Sequence, residues 1–156
     1  MIDSPGHLKK LAESIGLKTN IVAISDIKEA SNVFDTALPV LPIEFPNNSI
    51  PGELDAKNSQ VVVEAIKQAV DLVQNEHASA IVTNPIQKIG LYRNGFSFPG
   101  HTEYLASLSI KKSEPVMMLA SERLRVIPVT RHVSLQEAIH MLSPELIVNT
   151  ALIANH

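Results

Sequence analysis

The sequence predicts an α/β fold with a largely parallel sheet covered by helices on both faces, and three observations carry that prediction. Stretches with helical apolar spacing alternate with short apolar runs along the chain. Those runs, Ile21-Val22-Ala23-Ile24 and Ala80-Ile81-Val82 among them, are apolar throughout, the pattern of strands buried on both faces. The 156 residues are 45% hydrophobic but only 4% aromatic and lack tryptophan, so the core must be built from aliphatic side chains.

Taken in order, Ser4-Pro5 followed by Leu8, Leu11, Ala12 and Ile15 reads as an N-cap, a proline at the first helical position and an apolar face, with Gly16 as the stop. This gives a helix over 4–16 and no leading strand. A strand over 21–24 follows, and Ser25-Asp26 caps a short helix reaching Val33 or Phe34. Pro39 and Pro42 limit 38–45 to an edge or irregular strand, and Pro46-Asn47-Asn48 marks a turn. Val62, Val63, Ile66, Ala69, Val70 and Val73 predict a helix over 55–75, succeeded by a strand over 79–83 that Asn84-Pro85 stops. A short helix over 85–94 ends at Gly95, and Phe96, Phe98 and Pro99-Gly100 form a constrained connection into a helix starting near Thr102. Residues 116–120 and 124–129 read as two buried strands joined by a tight polar turn, with Met117 and Met118 as core filling. Helices over 135–142 and 145–153, divided by the Ser143-Pro144 cap, complete a single α/β segment, 1–156, that reads as cut from something larger.

A net charge of −3 without any run of Lys or Arg argues against a nucleic-acid partner. The absence of cysteine removes disulfides, thiolate catalysis and sulfur-ligated metals, so a metal must use His, carboxylate or water. No basic region precedes an apolar stretch, and no run of roughly 18 apolar residues occurs. A cytoplasmic protein without a membrane partner is expected.

Three clusters lie at strand ends or loops, where α/β proteins place ligands. Thr83-Asn84-Pro85-Ile86-Gln87-Lys88 offers amides at a helix start and a lysine one turn in, suited to an anion, or is simply a polar turn. Pro99-Gly100-His101-Thr102-Glu103 sets an imidazole and a hydroxyl at a helix N-terminus, or is an N-capping turn with an incidental histidine, and Glu103 can complement the helix dipole. In Val129-Thr130-Arg131-His132-Val133, His132 leaves a strand end where it can ligate a divalent metal, while Arg131 can bind an acidic group or stand as a surface charge. His7, His77, His140 and His156 read as surface or capping residues.

The stretches IVTNPIQKIGLYRNGFSFPGHTEYLA and VMMLASERLRVIPVTRHVSLQEA, together with Pro51-Gly52-Glu53, resemble the central region of the PdxA family of 4-hydroxythreonine-4-phosphate dehydrogenases. The resemblance implies part of a two-domain fold like that of isocitrate and isopropylmalate dehydrogenases, acting as a homodimer. It implies oxidation of a phosphorylated hydroxy amino acid by NAD with loss of CO2, on the way to pyridoxal 5'-phosphate, assisted by a divalent metal (Zn, Mg, Mn or Co). Position by position, His101 and Thr102 match the substrate-binding pair, and His132 matches the first of three metal-binding histidines. Lys88 and Asn84 lie in the adjoining loop as further substrate-contact candidates. The resemblance assigns no residue of this chain to NAD or to catalysis. The family's Gly-Asp-Pro-Ala-Gly loop and its C-terminal half, with the other two metal histidines, are not found here. Two alternatives stay open: a dehydrogenase of a phosphorylated sugar acid such as threonate or erythronate 4-phosphate, and a non-catalytic phosphate-binding remnant. Apolar surface left uncovered in such a segment predicts self-association.

Overall fold

A computed structural model describes residues 1–110 and 114–155, which gather into two compact units, 1–110 and 111–156. The first unit opens with a short strand, β1 (Ile2–Asp3), ahead of helix α1 (Pro5–Ser14). This strand was not legible in the sequence, because two residues carry no periodicity. Ser4 caps α1 by accepting from the His7 amide at 3.3 Å. Gly16, at φ +69°, ends it, with the Leu17 amide reaching back to the Ala12 carbonyl at 2.8 Å. Leu8 and Ala12 of α1 pack on Ile21 and Val40.

Strand β2 (Ile21–Ala23) is followed by the Asp26 cap, a 3-10 turn over Ile27–Glu29 and helix α2 (Ala30–Val33). Strand β3 (Leu38–Pro42) pairs in parallel with both others, in the order β1-β3-β2. The proline-containing segment is thus central and not an edge, and the pattern of its amides explains how. Successive amides of a parallel strand point to alternate neighbours. Leu38 donates to Asn20 and Val40 accepts from Ile24 on the β2 side, while Leu41 donates to Met1 and Ile43 to Asp3 on the β1 side. Pro39 faces β1 one step ahead of Leu41, and Pro42 faces β2 where Ile24 already ends the ladder, so neither missing N–H breaks a rung. Val40 is fully buried, whereas Val22 of β2 remains 40% exposed, so the helical cover predicted for both faces is incomplete.

Helix α3 (Ala56–Gln74) bears out the strongest helical pattern in the sequence. Asp55 caps it, accepting from the amides of Lys57 at 2.8 Å and Asn58 at 3.1 Å. The Asn47 side chain donates to Asp55 at 2.7 Å, and buried Asn58 exchanges two hydrogen bonds with the Asn47 backbone, which staples the 46–48 turn onto the first turn of α3. Beyond α3, the strand expected over 79–83 does not form: no residue there joins a ladder, and Val82 is 97% exposed. An apolar run supplies the side chains of a strand, but backbone pairing needs a neighbour. Helices α4 (Lys88–Arg93) and α5 (His101–Leu108) then pack on α3.

In the second unit, strands β4 (Leu119–Ala120) and β5 (Arg125–Val126) form an antiparallel hairpin closed by the Ser121 amide on the Leu124 carbonyl at 2.8 Å. All four ladder residues are exposed and Met118 is 45% exposed, so these are not the buried strands, nor Met118 the core residue, that the apolar runs implied. The ladder is only two residues long and offers little surface to bury. Helix α6 (Leu135–Met141) starts with a reciprocal Ser134–Glu137 capping box, whose hydrogen bonds hold the Glu137 carboxyl below its usual range. Helix α7 (Pro144–Asn155) starts at the expected Ser143-Pro144 pair.

Two outcomes follow from this packing. A β-carbon on Gly90 would lie 2.5 Å from Leu54 Cδ1 and 2.6 Å from Ser59 Oγ, so Gly90→Ala is expected to cost about 1–3 kcal/mol in urea unfolding. The Asn47 amide, and after it the Asn58 backbone amide, hold the Asp55 carboxyl below its ordinary value. Its charge therefore stabilises the fold above the unfolded-state value of about 4 and loses that contribution as pH falls through the folded-state value. Asp55→Asn, which keeps a capping oxygen, should differ from the parent in urea midpoint at neutral pH, and the difference should shrink steadily below about pH 4.

Candidate functional site

The site grows out of the apolar stripe of α3. Ile66, flanked by Val62 and Val63, packs on Leu91 of α4, Phe96 of the connection and Tyr104 of α5. Phe96 meets Phe98 and Tyr104 edge-on, with ring centroids 5.4 and 5.1 Å apart. The Tyr104 hydroxyl donates to the Val63 carbonyl at 3.4 Å, and burial, with the nearby Glu64 carboxylate second, pushes that phenol up from its usual range. Tyr92 donates to the Pro99 carbonyl at 3.4 Å. These contacts fix the Pro99-Gly100 turn, and with it the first turn of α5.

His101 is the first residue of α5, Gly100 is its N-cap, and no side chain bonds the amides there. His101 Nε2 is sealed from solvent without a hydrogen-bond partner among the described residues. An unpaired buried polar atom costs about 1–3 kcal/mol, which an incoming acceptor or donor removes. His101 also lines a cavity of about 530 Å³ bounded by β1, by Ile43 and Phe45 beyond β3, by the α3 face and by the 78–86 segment. Its wall is mostly aliphatic, with Asp3, Thr83, Asn84 and His101 as polar points, the composition of a small-molecule pocket.

The structure joins the first two sequence clusters and changes one of them. Asn84 shares the cavity with His101. Lys88 is the first residue of α4 and not one turn in, and its six-residue helix presents no anion site of its own. It reaches the other cluster instead: a β-carbon on Gly100 would lie 3.8 Å from Lys88 Nζ and 3.5 Å from Glu103 Oε2. Thr102 sits in the first turn of α5 but does not line the cavity. Asp3 and Phe45 were not singled out in the sequence; Asp3 sits beside a helix cap, and only the ladder β1-β3 turns it toward the cavity rim.

His132 lies in the second unit. It is exposed, adopts φ +57°, and stands six residues beyond the end of β5 and not directly at a strand end. Arg131 beside it has Nη1 sealed without a partner. Among the described residues no three His, Cys, Asp or Glu side chains gather to hold a metal ion. A lone imidazole is fewer donors than a divalent cation takes from a protein, so this donor set does not fit a resident metal.

Against known proteins, the family described as Pyridoxal phosphate biosynthetic protein PdxA matches residues 1–156. The chain belongs to the PdxA family. The 4-hydroxythreonine-4-phosphate dehydrogenase of Methylorubrum populi is 43% identical over 99% of this chain and 46% of its own length. That of Bradyrhizobium diazoefficiens is 45% identical over 93% of this chain and 43% of its own. A solved 4-hydroxythreonine-4-phosphate dehydrogenase from Burkholderia phymatum superposes with a TM-score of 0.85 at 32% identity, over 96% of this chain and 45% of that one. This PdxA chain therefore spans a little under half the length of the relatives it matches, and it shares their isocitrate dehydrogenase-like α/β fold.

Phe96→Ala tests whether the aromatic cluster positions the PdxA site. The cavity it leaves should cost about 3–5 kcal/mol in urea unfolding. In the fraction still folded, the His101 imidazole proton resonances should shift, because the turn that carries the ring loses its backing.

Proposed function

We propose that this chain carries the phosphosubstrate-binding part of a 4-hydroxythreonine-4-phosphate dehydrogenase, a cytoplasmic enzyme of pyridoxal 5'-phosphate biosynthesis. The observation that supports it is the partnerless His101 Nε2 at the uncapped start of α5, on the rim of the cavity. Free amides at a helix start attract an anion, His101 donates to one of its oxygens, Thr102 adds a hydroxyl, and Lys88 brings a positive charge to the same turn. Asn84, inside the cavity, is placed for the hydroxy acid's uncharged polar groups.

In the proposed reaction the C–H bond of the secondary alcohol breaks with hydride passing to NAD, the hydroxyl releases its proton to solvent, and the resulting β-keto acid loses CO2 to leave an enolate that takes a proton back from solvent. The residues present bind and orient the substrate for that step. No step of that reaction is assigned to a metal, because His132 alone among the described residues is too small a donor set to hold one. No side chain here is assigned to NAD. A homodimer is proposed as well, supported by apolar side chains open to solvent, Val82 foremost.

Binding without turnover is the expected behaviour of the 156-residue chain. Calorimetric titration with 4-phosphohydroxy-L-threonine should give saturable binding that His101→Ala weakens about 10-fold or more, one charge-assisted hydrogen bond being lost. Absorbance should report no NADH with added Mg, Mn, Co or Zn. Robust metal-dependent NADH production would overturn the second part, and unchanged binding in His101→Ala the first.

A further inference from the structure

The first unit leaves two sets of backbone groups without partners, and both lie on the wall of one cavity. In β1 the carbonyls of Met1 and Asp3 accept from Leu41 and Ile43, so the N–H and C=O of Ile2 between them point to the opposite edge. No strand pairs with that edge among the described residues. Residues 79–83 make no backbone hydrogen bond to any described residue, although Ala80-Ile81-Val82 has the composition of a strand, and Val82 is 97% exposed. Residues 1–3 and 80–83 line the same cavity of about 530 Å³ without pairing with each other.

The rest of the wall has the dimensions and chemistry of a strand slot. Val61, Val62, Ala65, Ile66, Ala69 and Leu72 form a continuous apolar stripe of α3 along it. At about 1.5 Å per helical residue the stripe is about 16 Å long, which is about five residues of extended chain at about 3.3 Å each. Asp3 and His101 are the only ionisable side chains among the lining residues. Only an extended backbone carries donors and acceptors along both of its edges, so neither a small ligand nor a docked helix meets both unpaired sets. More than half the length of each matched relative lies outside the region this chain matches, so a PdxA fold has further chain to supply such a strand.

We propose that this trough is a strand-docking site. An uncharged, β-branched segment from the part of the PdxA fold that this chain does not match inserts between β1 and residues 79–83 and joins both into one sheet. The proposal does not rest on the substrate assigned above. Thr83 and Asn84 follow at the carboxyl end of the 79–83 run, the edge where α/β sheets hold ligands, and that edge stays open beside an inserted strand.

Amide hydrogen exchange on the 156-residue chain tests it. In the free chain the amides of Ile2 and of residues 80–83 should exchange at nearly the rates of an unstructured peptide. A capped peptide, Lys-Thr-Val-Ile-Val-Thr-Lys, at roughly ten times its dissociation constant should slow them about 10-fold. Its counterpart with proline in place of the central isoleucine should not, because proline cannot sit in a strand paired on both edges. Ala69→Glu sets a carboxylate in the trough and should abolish the protection. Val82→Pro removes a donor from the solvated segment, away from the core, and should weaken the peptide about 10-fold with the melting temperature unchanged. It decides the matter if the Ala69→Glu protein does not fold. Equal protection by the proline peptide makes the trough a merely apolar surface and overturns the proposal, as does no protection by either peptide. Protection of 80–83 in the dilute free chain overturns it in favour of a segment that closes on β1 by itself. Protection that rises with chain concentration alone overturns it in favour of a second copy. Inorganic phosphate titrated in parallel reads the substrate site, and failure there leaves the strand result standing.

Discussion

Burial of the α3 stripe beneath α4, the Phe96–Phe98 connection and α5 is the constraint on which the candidate site depends. Ile66, Leu91, Phe96 and Tyr104 form one continuous cluster, in which Leu91, Phe96 and Tyr104 lie within 13 residues of one another and Ile66 joins them from 25 residues before Leu91. Fully burying side chains of this size contributes about 1.5–3 kcal/mol each. Because the cluster is fixed, the Pro99-Gly100 turn has one place to go, and His101 at the start of α5 lines the cavity. Gly90 is part of the same constraint: α4 lies so close to Leu54 and Ser59 that a β-carbon there would force their side chains to shift.

Polarity at the site is concentrated where packing leaves it unsatisfied. The Asn47–Asp55–Asn58 network shows how this chain treats polar groups that serve only the fold, giving each of them a partner. His101 Nε2 and Arg131 Nη1 are the departures among the described residues, and both fall inside motifs that also carry the family resemblance. Structural economy pairs buried polar atoms, and recognition leaves them waiting for a ligand. Leu91, Tyr104 and Val40 need no such explanation, since their burial is the fold itself.

The sheet is where the chain is least self-sufficient. Val40 is enclosed, yet Val22 stays open and Val82 is almost wholly solvated in a segment whose composition asks for a strand. The matched relatives are roughly twice as long, and this chain aligns with 46% of one and 43% of another. Strand formation at 79–83 depends on a neighbouring edge, and among the described residues none pairs with it.

Local chemistry made much of this protein legible in its sequence. Ser4-Pro5, Ser143-Pro144, Gly16 and Gly95 specify helix ends through interactions within one turn, so those boundaries could be read directly. The PGHTE and VT-x-H motifs carried the family, because they are contiguous. Whatever depends on which segment lies alongside which was decided only by the tertiary structure. Pro39 and Pro42 fit a central strand because their nitrogens fall beyond the ends of the neighbouring ladders, a matter of register that no composition rule contains. Lys88 meets Gly100 and Asp3 meets the cavity only through helix packing and strand pairing. The solvent-exposed β4–β5 hairpin and the unpaired 79–83 run show the converse, since apolarity gives a segment its tendency to be buried while the surface that buries it comes from elsewhere in the fold.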